Sequence, residues 1–138
     1  MRLKIAVVGA GSMGMNHLRA LRDFDEEQVQ IVGVADTYEA SLRNAVSRFH
    51  VAGYADYREM IEKTNPDLIS VVVPTHLHFE VASYVLDRGI NVLLEKPMAS
   101  TIEQALALIQ LARQRGAKLA IGHIERFNPA IIEVKRHL

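Results

Sequence analysis

Residues 5 to 14 read Ile5-Ala6-Val7-Val8-Gly9-Ala10-Gly11-Ser12-Met13-Gly14, a short apolar run that breaks into glycines and then into helical spacing. The G-x-G-x-x-G at Gly9 to Gly14 is common in isolation, but here it closes a predicted strand and opens a predicted helix. The first glycine permits a tight turn. The second lets backbone approach a pyrophosphate with no Cβ in the way, and the third lets the helix pack closely on the strand. The helix start, with Ser12 and Met13 in its first turn, presents unpaired N–H groups and a partial positive charge to an anion. Asp36 stands at the end of the second apolar run, 22 positions after Gly14, where a carboxylate accepts hydrogen bonds from both ribose hydroxyls of an adenosine. The expected cofactor is NAD. NADP fits less well, because Asp36 repels a 2′-phosphate and Thr37 and Tyr38 bring no cation, which leaves Arg43 as the one neighbour able to swing in.

Outward from this segment, β-branched runs alternate with helical spacing, the mark of βαβ units. The runs are Leu3–Val8, Val29–Ala35, Leu68–Val73, Asn91–Leu94 and Lys118–Gly122, with a weaker one at Ala52–Tyr54. Ile5 to Val8 and Val71 to Val73 do not alternate apolar with polar, so both strand faces should be covered. The expected fold is α/β: a doubly wound parallel sheet of the Rossmann type, about six strands in the order 3-2-1-4-5-6.

The predicted helices are Met13–Phe24, Tyr38–Phe49, a short one capped by Asp56, His78–Arg88 and one opening on Ser100-Thr101-Ile102-Glu103. That last tetrapeptide fits a capping box, and Gly89 and Gly116 sit where left-handed terminators belong. Asn128-Pro129 pairs an N-cap with proline at the first helical position. The domain expectation is therefore a dinucleotide-binding unit over residues 1–127. Residues 128–138 then begin a helix leading toward a C-terminal α/β substrate domain. The alternative is a final helix that docks on its own domain.

The chain has 138 residues, 49% of them apolar, enough for one full core. Sixteen Lys and Arg balance sixteen Asp and Glu, which removes the electrostatic case for nucleic acid or an anionic membrane as partner. There is no cysteine, so disulfides, thiolate nucleophiles and sulfur-ligated zinc are excluded, and a cytoplasmic location is expected. The apolar run ending at Gly9 is too short for a secretory leader, and no window approaches a membrane span.

In such sheets ligands sit beyond the carboxyl ends of the strands. Three polar segments converge on that edge: Pro74-Thr75-His76-Leu77-His78, Glu95-Lys96-Pro97, and Gly122 to Pro129 with His123 and Arg126. His78 is expected to line the cofactor groove, while His76 caps the helix or bonds a loop carbonyl. No metal is expected, since residues two apart on a helix point in different directions. Lys96 is the candidate for chemistry, because partial burial at a strand end lowers an amine's pKa toward the range where it exchanges protons. An ordinary surface lysine is the plain alternative. Pro97 follows a residue at a strand end, where an X-Pro bond admits a cis peptide.

With the glycine loop, Pro74-Thr75 followed by His78, Glu95-Lys96-Pro97 and Gly122-His123 leading to Arg126-Phe127, the chain resembles the Gfo/Idh/MocA oxidoreductases over its whole length. The resemblance implies hydride transfer between NAD and a secondary alcohol or ketone of a sugar, nucleotide sugar or cyclitol. It implies that Lys96 lies near the nicotinamide and the reacting carbon, that an acid/base histidine comes from a second domain, and that the full-length enzyme is a homo-oligomer. Residues 122–129 are similar to those of the branch that dehydrogenates C3 of UDP-N-acetylglucosamine or its uronate. Two readings from other classes remain: a stand-alone NAD(H)-binding redox module, and an interaction protein that keeps the fold without the ligand.

Overall fold

The computed structural model describes residues 2–138. Six parallel strands, β1 (Leu3–Val8), β2 (Val29–Ala35), β3 (Gly53–Tyr54), β4 (Leu68–Val71), β5 (Asn91–Leu94) and β6 (Leu119–Ile121), form one sheet. Their order is β3-β2-β1-β4-β5-β6. The connections are α1 (Ser12–Arg22), α2 (Glu39–Phe49), α3 (Tyr57–Thr64), α4 (Thr75–Asp87) and α5 (Ile102–Arg115). A 3₁₀ turn at Ile124–Phe127 and α6 (Pro129–Arg136) follow β6.

Successive strand residues point to opposite faces, and the sheet has a core on each. Val7 and Val34 pack with Met15 and Leu18 of α1 and with Ala45 and Phe49 of α2. Ala6, Val8, Ile69, Val71, Val92 and Leu94 pack on the other face against α3, α4 and α5. The expected doubly wound architecture and strand order are therefore present. The chain winds outward from β1 through β2 to β3, then crosses and winds the other way from β4, so the reversal falls between β1 and β4.

Several boundaries differ from the sequence expectation. β4 stops at Val71 rather than Val73, because Val72 and Val73 turn away to meet the glycine loop and α4. α4 starts three residues earlier than expected, at Thr75 with Pro74 as N-cap. The cap of α5 is Thr101, not Ser100: the Gln104 N–H donates to Thr101 Oγ1 and the Ser100 N–H to Gln104 Oε1, each at 3.2 Å. The 3₁₀ turn was not expected. Asp56 and Asn128 do cap their helices, accepting from the N–H of Arg58 and of Ala130.

The accessible surface, 8602 Å², exceeds the roughly 7,000 Å² that size scaling gives for a compact chain of this mass. Residues 123–138 are all exposed, including Phe127, Ile131 and Ile132. Among the described residues no helix is long and apolar enough to cross a membrane.

Leu86 of α4 is fully buried in the larger core, whereas Leu106 of α5 is 60% exposed. Leu86→Ala is expected to lower stability by about 2–5 kcal/mol, and Leu106→Ala to stay within about 0.5 kcal/mol of the parent. Urea denaturation of the two variants checks the contrast, and equal losses would contradict this packing.

Candidate functional site

Where the strand order reverses, a cleft of about 660 Å³ opens beyond the carboxyl ends of β1 and β4, bounded by the glycine loop, Asp36, the segment Val72–Pro74 and the start of α3. The three motif glycines have different reasons to be glycine. Gly9 has φ of 100°, and a Cβ on it would collide with the Val72 carbonyl. A Cβ on Gly14 would collide with the Gly9 carbonyl, so this glycine closes the loop on itself rather than packing α1 on the strand. Gly11 has ordinary extended backbone and no protein atom within 4 Å of its would-be Cβ. The fold itself demands the first and third. The space beside Gly11 is kept clear of protein.

Gly11 is the N-cap of α1, with no side-chain cap and no acidic residue in the first turn. The first N–H groups of that helix therefore point outward without a protein carboxylate on them. Asp36 borders the same cleft. Its Oδ2 accepts from the Ala10 N–H at 2.6 Å and its Oδ1 from the Tyr38 N–H at 2.7 Å. These bonds fix the carboxylate's orientation and use two of its roughly four lone-pair sites. The remaining sites suit a vicinal diol. Arg43 pairs instead with Glu39 at 2.7 Å on the exposed face of α2.

The sequence reading missed the outer wall of this cleft. Tyr57 and Arg58, just after the Asp56 cap, line it with Leu77, Glu80 and Val81 of α4. Arg58 donates to Glu80 Oε1 at 3.0 Å. Burial raises the Tyr57 phenol above its usual range, against the pull of Arg58, and its hydroxyl has no partner. The signal was Asp56 itself, because a cap beyond the third strand places the next helix start at the carboxyl edge.

The second half of the candidate site lies at the ends of β4 and β5. Pro74 and Thr75 begin α4. His78 is 1% exposed, so it does not line the groove. Its Nδ1 lies 2.7 Å from the Pro97 carbonyl and its Nε2 lies 2.9 Å from the Val73 carbonyl, tying the two strand ends together. His76, expected to make such a bond, is exposed, and the carbonyl-bonding role falls to His78. The Lys96–Pro97 peptide is cis. Lys96 is exposed, so these residues do not supply the burial expected for its amine. His123 and Arg126 are also exposed and stand at the 3₁₀ turn after β6.

Glu95 turns away from the Lys96 side chain. Its Oε1 lies 3.0 Å from Nε2 of His17, whose Nδ1 lies 2.7 Å from Ser70 Oγ. The sequence reading missed both partners. Each had a weak signal: His17 falls next to buried Leu18 and three residues after Gly14, and Ser70 interrupts the apolar run of β4.

The profile of an oxidoreductase family, described as an NAD-binding Rossmann fold, matches residues 3–123 and is that of the Gfo/Idh/MocA proteins. UDP-N-acetylglucosamine 3-dehydrogenase of Acidithiobacillus ferrooxidans is 31% identical over 129 residues, 94% of this chain and 39% of that protein. Inositol 2-dehydrogenase 1 of Saccharopolyspora erythraea is 30% identical over 141 residues, 100% of this chain and 42% of that protein. Among solved structures, the WlbA dehydrogenase of Chromobacterium violaceum, in complex with NADH and UDP-GlcNAcA, superimposes with a TM-score of 0.92 at 28% identity. That match covers 98% of this chain and 39% of that one. The chain thus spans about two-fifths of the length of the curated relatives it matches.

The buried ring of His78 has a definite consequence. His78→Ala removes the buried ring that bridges two loop carbonyls and is expected to lower stability by about 1–3 kcal/mol, while His76→Ala changes it by less than about 0.5 kcal/mol. Chemical denaturation of both variants decides, and indistinguishable midpoints would refute the assignment.

Proposed function

The chain belongs to the Gfo/Idh/MocA oxidoreductases, and from that premise we propose that residues 1–127 are the dinucleotide-binding domain of an NAD-dependent dehydrogenase. Its substrate class is a secondary alcohol or ketone of a sugar, nucleotide sugar or cyclitol. Residues 128–138 begin the helix toward a C-terminal α/β domain that completes the substrate site. The observation that carries the reading is the pairing of the clear space at Gly11 with Asp36, whose carboxylate is held by two backbone N–H groups with acceptor capacity left at the cleft.

When bound, NAD supplies the hydride acceptor, and its reduced form the donor. The chain's own residues bind and orient. Gly9, Gly11 and Gly14 keep the loop free of side chains, and the N–H groups at Ser12 and Met13 face the pyrophosphate. Asp36 accepts from the adenosine ribose and repels a phosphate on it. Pro74 and Thr75 border the path to the nicotinamide half. His78 acts through the backbone it holds. Glu95, Lys96 and Pro97 form the floor beside the reacting carbon, where the Lys96 amine orients the substrate oxygen and helps move its proton. His123 and Arg126 belong to the substrate side.

The substrate classes of the relatives support the lean toward pyranose and cyclitol oxygens, and the run 122–129 supports a nucleotide sugar. The absence of cysteine supports a cytoplasmic setting. The exposed apolar side chains of Phe127, Ile131 and Ile132 support a homo-oligomer for the complete enzyme.

Calorimetric titration of this chain with NAD and with NADP is the test. NAD is expected to bind about tenfold or more tightly than NADP, a difference of roughly 1.4 kcal/mol. Asp36→Ala is expected to lower NAD affinity by a comparable factor. So is Gly11→Ala, since its backbone accepts alanine and only a ligand would meet the methyl. Unchanged NAD affinity in Asp36→Ala would overturn the assignment.

A further inference from the structure

His17, Ser70 and Glu95 come from three different elements, α1, β4 and the end of β5, and none of them lines the cleft. The twofold strand period explains the meeting. Ile69 and Val71 face the core beneath α4, as do Val92 and Leu94, so Ser70 and Glu95 project on the opposite face, where α1 lies. Ser70 is 1% exposed, and the His17 and Glu95 side chains are 17% and 13% exposed.

Hydrogen-bond capacity orders the chain of contacts. An ionised carboxylate only accepts, so His17 Nε2 carries the hydrogen directed at Glu95. In the neutral ring Nδ1 is then an acceptor and takes the Ser70 hydroxyl hydrogen. A single tautomer satisfies both contacts. Glu95 is held on one further side, where its Oε2 accepts from the Lys96 N–H at 3.2 Å, and glycine at 122 leaves room for it, since a Cβ there would lie 3.0 Å from Oε1. Among the described residues, the side-chain donor to Glu95 is His17.

We propose that His17 is a positioning residue for the reaction: through Glu95 it fixes the peptide from which Lys96 departs, at a set distance from the glycine loop three residues before His17 in α1. This rests on the role given to Lys96 above. A helix already anchored by Met15 and Leu18 does not need a polar staple to stay on the sheet, and an apolar trio of the same volume would hold it as well or better. What the polar chain adds is direction. It locks one carboxylate, and with it one backbone N–H, beside the amine that handles the substrate. Misplacing such a group by about 1 Å costs on the order of a hundredfold in rate.

The test uses His17→Ala, with His17→Gln as the conservative variant whose amide still donates to Glu95, and Ser70→Ala as a milder break at the far end. In nitrogen-15 spectra of this chain, His17 is expected as the Nε2–H tautomer. The Lys96 amide resonance should move in His17→Ala and return toward its original position in His17→Gln. In the full-length enzyme, assayed on whichever of UDP-N-acetylglucosamine or myo-inositol it oxidises, His17→Ala should lower kcat about tenfold to a hundredfold. KM for NAD should stay within about threefold, the pattern of an interaction realised in the transition state. His17→Gln should recover most of the loss, and Ser70→Ala should fall between them. A Lys96 amide that does not respond to His17→Ala overturns the proposal, as does a loss confined to KM for NAD. Failure of the wild-type chain to bind NAD would instead overturn the functional reading, while the Lys96 amide response still decides whether His17 sets that peptide.

Discussion

The end of β1 touches the end of β4 backbone to backbone, with Gly9 against the Val72 carbonyl, and Gly14 then sets the start of α1 on the Gly9 carbonyl. No side chain fits in either contact. Three elements, the two central strands and the helix that leaves the first of them, are thereby brought together more closely than any residue with a Cβ allows. The rest follows from that closeness. The glycine turn directs α1 down one face of the sheet. Its uncapped N-terminus points into the gap where the strand order reverses, and β2 delivers Asp36 to the other side of the same gap. Side chains inserted there would force backbone shifts of the kind that destabilise well-packed interiors.

Much of this was legible because it is local. The run from Ile5 to Gly14 carries strand, turn and helix start within ten residues, and Asp36 follows from strand length alone. The strand order is readable for a related reason: runs apolar on both faces demand a parallel sheet between helical layers, and few connections satisfy that handedness. The cleft's outer wall at Tyr57 and Arg58, and the contact of Ser70 with His17, are not local. They join residues 53 positions apart in the second case, and no periodicity in either segment announces its partner.

Other differences arise where two local signals compete. Ser100 and Thr101 are both competent caps, as Glu103 and Gln104 are both competent responders, so two capping frames exist one residue apart. The structure uses the later one because Thr101 adopts the extended conformation a cap requires. The start of α4 at Thr75 turns on Pro74, which supplies an N-cap conformation without a side-chain bond. With the helix starting there, His78 falls on its buried face and His76 on its exposed one. The exposure of Lys96 has another cause: the strand that carries it ends at Leu94, and the chain turns outward through Pro97 toward α5.

The two outermost strands are very short, two residues in β3 and three in β6. An open sheet with long bare margins invites a neighbour to add a strand and so grow without limit. Here each margin offers almost no ladder to copy. Any association between copies would therefore run through side-chain surfaces, such as the exposed Phe127, Ile131 and Ile132, rather than through strand edges. Such side-chain contacts are suited to closed, countable assemblies rather than to cross-strand polymers.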